Sequence, residues 1–328
     1  MNGGMELYLH MPFCVRKCAY CDFLSFPTDQ ETQNLYTRRL REDIDAMGKK
    51  YGDIPVDTIF IGGGTPSVPD SALIVGIMEH VRKAFHVAEG AEISMEANPG
   101  TVTREKLTDY RRAGINRLSF GLQSANDREL KLLGRIHTWA EFLESFHLAR
   151  ECGFTNINID LMSALPGQTR ESWKDTLKRV TDLNPEHISA YSLIIEDGTP
   201  FGEKYGSEEG RKLLPDEDSE REMYHETKRF LRDCGYERYE ISNYAKPGRA
   251  CRHNIGYWTG LPYLGLGLGA SSYMDGCRFA VNSDMKQYLE EKPGMFTDVE
   301  KLTKKDMEEE FFYVGLRMTA GVSLPEFE

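Results

Sequence analysis

Three of the chain's seven cysteines fall inside eight residues, "CVRKCAYC", as Cys14, Cys18 and Cys21. Three soft donors on one short segment suit a metal, a redox disulfide or an iron–sulfur cluster. A structural zinc site asks for four ligands, usually as two separated pairs. Here Cys152, Cys234, Cys251 and Cys277 are scattered singly. "CAYC" is formally a redox CxxC, but it lacks the helix start beside a thioredoxin-like unit that tunes such a thiol. Three thiolates can hold three irons of a four-iron cubane and leave the fourth open, and an open metal position is a place for chemistry.

Other segments carry polar or backbone chemistry. "GGGTPS" (62–67) lets the main chain approach a ligand closely, but it lacks the GK[ST] ending of a phosphate loop. Its alternative reading is a tight turn. Glu96, Gln123, Arg135 and Asp160 fall at or near the ends of successive apolar runs, where a carboxylate can meet an ammonium group and a guanidinium a carboxylate. "GLGLGA" (265–270) fits a dinucleotide fingerprint in form only. It follows Pro262 and Tyr263 rather than a full strand, and no helix begins after it. It reads as close-packed backbone at the open edge of a barrel. "HNIGYW" sets an imidazole, a phenol and an indole within six residues, His253 to Trp258. A lone histidine can equally be a hydrogen-bonded structural residue.

Strands and helices must position these groups. Apolar runs at 5–11, 56–61, 91–97, 115–121, 155–162 and 187–194 alternate with helical stretches at 30–49, 70–86, 103–113, 126–151 and 170–182. Strands alternating with helices predict βα units on a parallel sheet, an α/β fold. Six in succession fit a partial (β/α)6 barrel of TIM type, with a doubly wound sheet as the alternative. In such a barrel active groups stand at the C-terminal strand ends, where the motifs cluster. After about residue 200 the pattern changes. Residues 202–222 are charged and turn-rich, a helix runs to 233, a short strand spans 236–242, and a helical segment lies near 304–318. The expected division is a barrel core over 1–200 and a smaller α+β extension over 201–328.

The chain has 328 residues, a net charge of −12 and a pI near 5.3. That balance counts against a nucleic-acid partner. No apolar run reaches the roughly 18 residues of a membrane span, and the N-terminus lacks a secretory pattern. An odd cysteine count in a long acidic chain predicts a reduced, cytoplasmic protein.

"YLHMPFCVRKCAYCDF" resembles the cluster loop of the radical S-adenosylmethionine (SAM) enzymes, CxxxCxxC with an aromatic, Tyr20, before the last cysteine. Its flanks are similar to the oxygen-independent coproporphyrinogen III oxidase-like branch, and within it to the HemW family of haem chaperones. The likeness extends through "FIGGGTPS", "MEANPGT", "GINRLSFGLQS", "LGRIH", "NIDLMSALPGQT", "YEISNYAKPG" and "HNIGYW". The resemblance implies a [4Fe-4S] cluster on Cys14, Cys18 and Cys21. It implies SAM held by Tyr8, Tyr20, Gly63, Gly64, Thr65, Glu96, Gln123, Arg135 and Asp160. It implies haem at the "HNIGYW" segment, with His253 as axial ligand, Tyr257 and Trp258 against the porphyrin, and Cys251 as an alternative thiolate ligand. It assigns no catalytic residue and leaves SAM cleavage and SAM binding unseparated. The alternative reading is an oxidase acting on a porphyrin by radical chemistry. The resembling oxidases continue with Cys-Gly-Cys, where this chain has Cys21, Asp22 and Phe23. That departure favours a chaperone taking haem to acceptor proteins, including membrane-associated respiratory enzymes, with an electron donor as a further partner and any membrane contact made through a partner. Relatives of this kind also continue into a small helical domain, so a truncated C-terminus is expected after "GVSLPEFE".

Overall fold

Period-two alternation in the first strand dictates the architecture. In β1 (Met5–Met11), Leu7, Leu9 and Met11 are fully buried among helices, while Glu6, Tyr8 and His10 take the opposite face. The computed structural model, which describes residues 4–327, repeats this pattern in β2 (Val56–Gly63), β3 (Val87–Ala97), β4 (Arg117–Gln123), β5 (Ile157–Ser163) and β6 (His187–Ser192). Register sets Tyr8 beside Phe60, Phe60 beside Ser94, Glu96 beside Ser119, Ser119 beside Asn158 and Asp160 beside Ser189. One face of the sheet is therefore apolar, and the other carries buried polar groups, among them Glu6, Thr58, Glu92, Arg117, Asn158 and His187.

Helices α1 (Gln30–Tyr51), α2 (Ser71–Ala84), α3 (Arg104–Arg112), α4 (Asp127–Leu132), α5 (Trp139–Glu151) and α6 (Arg170–Asp182) return the chain between these strands. All six start where Asp29, Asp70, Thr103, Asn126, Thr138 or Thr169 accepts a first-turn amide. The helix expected over 126–151 is two. A left-handed Gly134 ends α4, and the Thr138–Glu141 capping box starts α5. Arg135 lies in the gap.

The remaining elements are α7 (Pro200–Tyr205), α8 (Glu208–Arg211), α9 (Glu217–Asp233), β7 (Glu237–Arg238), β8 (Asn243–Ala245), α10 (Arg252–Trp258), β9 (Tyr263–Leu266), β10 (Ser271–Met274), β11 (Cys277–Ala280), α11 (Met285–Glu290), β12 (Thr297–Lys301), α12 (Lys304–Gly315) and α13 (Leu324–Phe327). The strand expected over 236–242 is the hairpin β7–β8, turned where Ser242 N–H donates to the buried Glu240 carboxylate at 2.8 Å. All twelve strands form one sheet, ordered β12-β11-β10-β9-β1-β2-β3-β4-β5-β6-β8-β7. From β9 to β6 every neighbour is parallel, and both margins are antiparallel. β1 to β6 pair in chain order, which makes a singly wound partial barrel rather than a doubly wound sheet. Hydrogen bonds do not close it among the described residues.

The "GLGLGA" segment is indeed close-packed against β1. The Tyr36 hydroxyl donates to His10 O at 2.6 Å and accepts from Leu268 N at 3.1 Å, joining α1, β1 and the strand beyond it. Gly267 makes room for this: it is left-handed (φ 93°), and a Cβ there would stand 2.5 Å from the Tyr36 oxygen. Tyr36→Phe keeps the ring and leaves His10 O and Leu268 N unpaired, so urea unfolding should show a loss of about 1–3 kcal/mol. An unchanged midpoint would mean that this stitch carries no stability.

Candidate functional site

The cysteine loop leaves the top of β1 and is tied down by backbone bonds. Gly64 N–H donates to Met11 O at 2.9 Å and Thr65 N–H to Phe13 O at 2.7 Å, so the glycine segment after β2 docks on the base of the loop. Below them the His10 ring donates from Nε2 to Leu24 O at 2.9 Å, where the loop returns, and its Nδ1 accepts from the Tyr8 hydroxyl at 3.0 Å. Gly63 sits over that ring in a left-handed conformation (φ 113°), with room for no Cβ: one would lie 2.4 Å from His10.

Above this base the expected polar groups converge. Cys14 Sγ lies 3.6 Å from Thr65 Oγ1, Asn98 Nδ2 donates to Thr65 Oγ1 at 2.7 Å, Arg135 Nη2 donates to Asn98 Oδ1 at 2.6 Å, and Arg135 Nη1 donates to Cys18 Sγ at 3.5 Å. The ring of contacts starts and ends on the cysteine loop, beside a cleft of about 310 Å³ lined by Cys18, Thr65, Asn98 and Arg135. Arg135 is thus already held by Asn98 and Gly121 O rather than free as a fork, while its Nε has no partner. Gln123 closes β4 at φ 72° beside a register shift, strained backbone of the kind that collects at ligand clamps. Glu96 Oε2 accepts from Gly63 N–H at 3.0 Å. Burial and the nearby Asp160 push the Glu96 carboxyl up to about 7. Burial raises Asp160 too, against hydrogen bonds from Asn158 and Ser119. Tyr20 packs beside Phe201.

Cys14, Cys18 and Cys21 share the loop, and Cys21 N–H donates to Cys18 O at 3.3 Å. Burial raises the Cys21 thiol, and Cys18 and Cys14 add to that rise. Their sulfurs are not gathered as one ligand set: no three His, Cys, Asp or Glu among the described residues converge in that way. The donor chemistry still fits a cluster, with three thiols on one segment and a buried cation against Cys18. Sequence reasoning missed His10 and Asn98. Both lie two residues beyond an expected site residue, Tyr8 and Glu96, and a period-two reading of the strand ends would have found them.

The "HNIGYW" segment is not part of this group. It forms α10, which plugs the opposite end of the barrel. His253 is buried. Its Nδ1 lies 2.7 Å from Thr58 Oγ1, its Nε2 lies 3.0 Å from the Tyr257 hydroxyl, and its ring stacks on Phe60 at 5.2 Å. Burial and Arg117 push its pKa down to about 3. Ligation of iron by His253 requires the ligating nitrogen to give up its hydrogen bond and the buried ring to be uncovered. Cys251 is closed as well: fully buried, with Sγ 3.5 Å from Glu92 Oε1 and its thiol pushed by burial up to about 12, it is no thiolate in this conformation. Trp258 faces away from the barrel, under the Arg317 guanidinium at 4.3 Å. A column of rings, Tyr8 on Phe60 on His253 against Tyr257, connects the two ends.

Comparison with known proteins follows the same outline. The family model of the Radical SAM superfamily matches residues 8–180. The haem chaperone HemW of Bacillus subtilis is 37% identical over 324 residues, 98% of this chain and 85% of that one. The haem chaperone HemW of Escherichia coli is 42% identical over 272 residues, 81% of this chain and 69% of that one. Among solved structures, coproporphyrinogen III oxidase (HemN) from Escherichia coli, a radical SAM enzyme, superposes with a TM-score of 0.83 at 26% identity, covering 97% of this chain and 76% of that one.

The raised Glu96 carboxyl gives a test that needs no ligand. Its folded value near 7 lies above the ordinary 4.5, so the folded state holds a proton that the unfolded chain has released between these values. The stability this contributes is complete below about 4.5 and lost as pH rises through about 7. Wild type should therefore lose stability relative to Glu96→Gln across that window in paired melting curves. Parallel pH profiles would refute the shift.

Proposed function

We infer the function from the premise that this chain belongs to the Radical SAM superfamily and, within it, to the family of the haem chaperone HemW. Its function is that of a haem chaperone. The observation that carries this is the sustained identity to curated HemW proteins along 98% of the chain. The fold is shared with the oxidase HemN, but Asp22 and Phe23 stand where the resembling oxidases place Gly-Cys.

Membership implies a [4Fe-4S] cluster and SAM, which together supply one-electron reductive chemistry when bound. We propose Cys14, Cys18 and Cys21 as the cluster ligands, with Arg135 holding positive charge against Cys18. Tyr8, Tyr20, Gly63, Gly64, Thr65, Glu96, Gln123, Arg135 and Asp160 are the proposed SAM contacts. Ionised Glu96 offers the ammonium group a partner, and the glycine segment offers main-chain groups at close range. His10 orients Tyr8, and Asn98 orients Thr65 and Arg135. Haem belongs by this reading at α10, where Trp258 and Tyr257 offer ring surface, while His253 and Cys251 face the barrel and secure the helix. The partners are haem-accepting proteins, including respiratory enzymes at membranes, and an electron donor. The compartment is the cytoplasm. No helix among the described residues is long and apolar enough to cross a membrane.

Anaerobic reconstitution should yield about four irons and four sulfides per chain. Cys14→Ala, Cys18→Ala and Cys21→Ala should each abolish this, while Cys152→Ser, Cys234→Ser and Cys277→Ser should not. Stoichiometric zinc without iron uptake would sink the cluster assignment. Asp160→Ala should weaken SAM binding about tenfold with the cluster intact, and coproporphyrinogen III should not be consumed anaerobically. Its turnover would restore the oxidase reading.

A further inference from the structure

We propose that the proton on Glu6 sets the tautomer of His253 through the Thr58 hydroxyl, so that Glu6, Thr58, His253 and Tyr257 form a proton relay from the barrel interior to the outer end of α10. The inference goes beyond the haem-chaperone reading and does not rest on it. Three contacts build the relay. Thr58 Oγ1 lies 3.1 Å from Glu6 Oε1 and 2.7 Å from His253 Nδ1, and His253 Nε2 lies 3.0 Å from the Tyr257 hydroxyl. Glu6, Thr58 and His253 are all buried. Glu6 Oε2 has no hydrogen-bond partner. The backbone of α10 lies directly on this carboxyl: a Cβ on Gly256 would stand 2.1 Å from Glu6 Oε1 and 2.4 Å from Oε2. An ionised Glu6 would therefore be a buried charge with one bond, and a protonated Glu6 must find an acceptor for its O–H.

The Thr58 hydroxyl has one proton to give. With Glu6 ionised, that proton goes to the carboxylate. His253 Nδ1–H then donates to Thr58 Oγ1, and Nε2 keeps a lone pair that accepts from Tyr257. With Glu6 protonated, the carboxyl donates to Thr58, Thr58 donates to Nδ1, and the ring proton sits on Nε2, where it donates to the Tyr257 oxygen. Keeping the first tautomer on a protonated Glu6 would leave a buried O–H without an acceptor, so the second prevails by one hydrogen bond. The imidazole stays neutral in both states, because burial and Arg117 of β4 push its pKa down to about 3. Burial pushes the Glu6 carboxyl up to about 8, against the bond from Thr58. Glu92 of β3 and Asp57 of β2 add to the rise, and Arg252 of α10 opposes it. Burial, with Glu6 next, holds the Tyr257 phenol in its neutral form. Near neutral pH, then, Tyr257 keeps its own O–H to donate outward, and at alkaline pH it turns that O–H inward to His253.

Nitrogen NMR of the full chain with isotope-labelled histidine tests the relay, because a protonated ring nitrogen and one with a lone pair give separate signals. The His253 signals are identified by their loss in His253→Gln. The spectra are followed from about pH 6 to about pH 9.5, where a neutral imidazole changes tautomer rather than charge. In wild type the proton should sit on Nε2 at the acid end and move to Nδ1 as pH rises through about 8. His10, fixed on Leu24 O, should keep its Nε2 proton throughout. Glu6→Gln cannot ionise and Thr58→Val cannot pass a proton, so each should hold one His253 tautomer across the range. Thr58→Ser keeps the hydroxyl and should keep the switch. A wild-type His253 whose tautomer does not change, or a change that persists in Glu6→Gln or Thr58→Val, overturns the relay. If Thr58→Val unfolds the chain, Glu6→Gln set against Thr58→Ser still decides.

Discussion

A strand wall that turns charged side chains inward must find each of them a partner without help from bulk water. That constraint shapes this molecule. At the lower end of the barrel Arg117 is fully buried and keeps its charge, with Glu92 and Asp160 close by and its Nη1 donating to Ser94 Oγ at 3.3 Å. Removing one partner from such a group typically costs about 3–5 kcal/mol, because a lone buried charge is left behind. Glu92 also accepts the first amides of α10, Arg252 N–H at 3.0 Å and His253 N–H at 3.4 Å. His187 joins in, donating to Asn158 Oδ1 at 2.6 Å and lying 2.8 Å from the Tyr239 hydroxyl. The helix plugging the barrel is thus held by polar bonds, and its aromatic residues are left to face outward.

The two ends of the barrel divide the labour. Above, Cys18, Thr65, Asn98 and Arg135 line a cleft beside the cysteine loop. Below, both ring nitrogens of His187 and of His253 and the Cys251 thiol are occupied. Glu6 illustrates the lower regime: burial pushes its carboxyl up to about 8, and only the Thr58 hydroxyl meets it. The groups that stay exchangeable lie near the open strand ends, and those committed to structure lie at the closed end. The ring column from Tyr8 to Tyr257 spans the two.

Legibility from sequence followed the same division. The six core strands and most helices were readable because apolar alternation and cap residues are local signals. The convergence at the strand tops was readable because strand ends point the same way in a parallel barrel. Three things were not. The gap in 126–151 depends on Gly134 adopting a left-handed turn, which helical periodicity on both sides conceals. The strands β9 to β12 are short and pair with sequence-distant neighbours, so no local pattern announces them. The orientation of α10 was hidden most fully. "HNIGYW" advertises ligand chemistry, but the face that His253 shows is decided by Thr58 and Phe60, nearly two hundred residues earlier.

The contact between Gly63 and His10 limits how this segment can change over generations. A side chain at position 63 would enter the space of the imidazole, so the glycine cannot be replaced while the histidine stays. Shrinking His10 first would cut Leu24 loose and leave the Tyr8 hydroxyl unoriented. Neither single step is neutral, and a viable route must alter both positions together. The two residues behave as one heritable unit, written fifty-three positions apart.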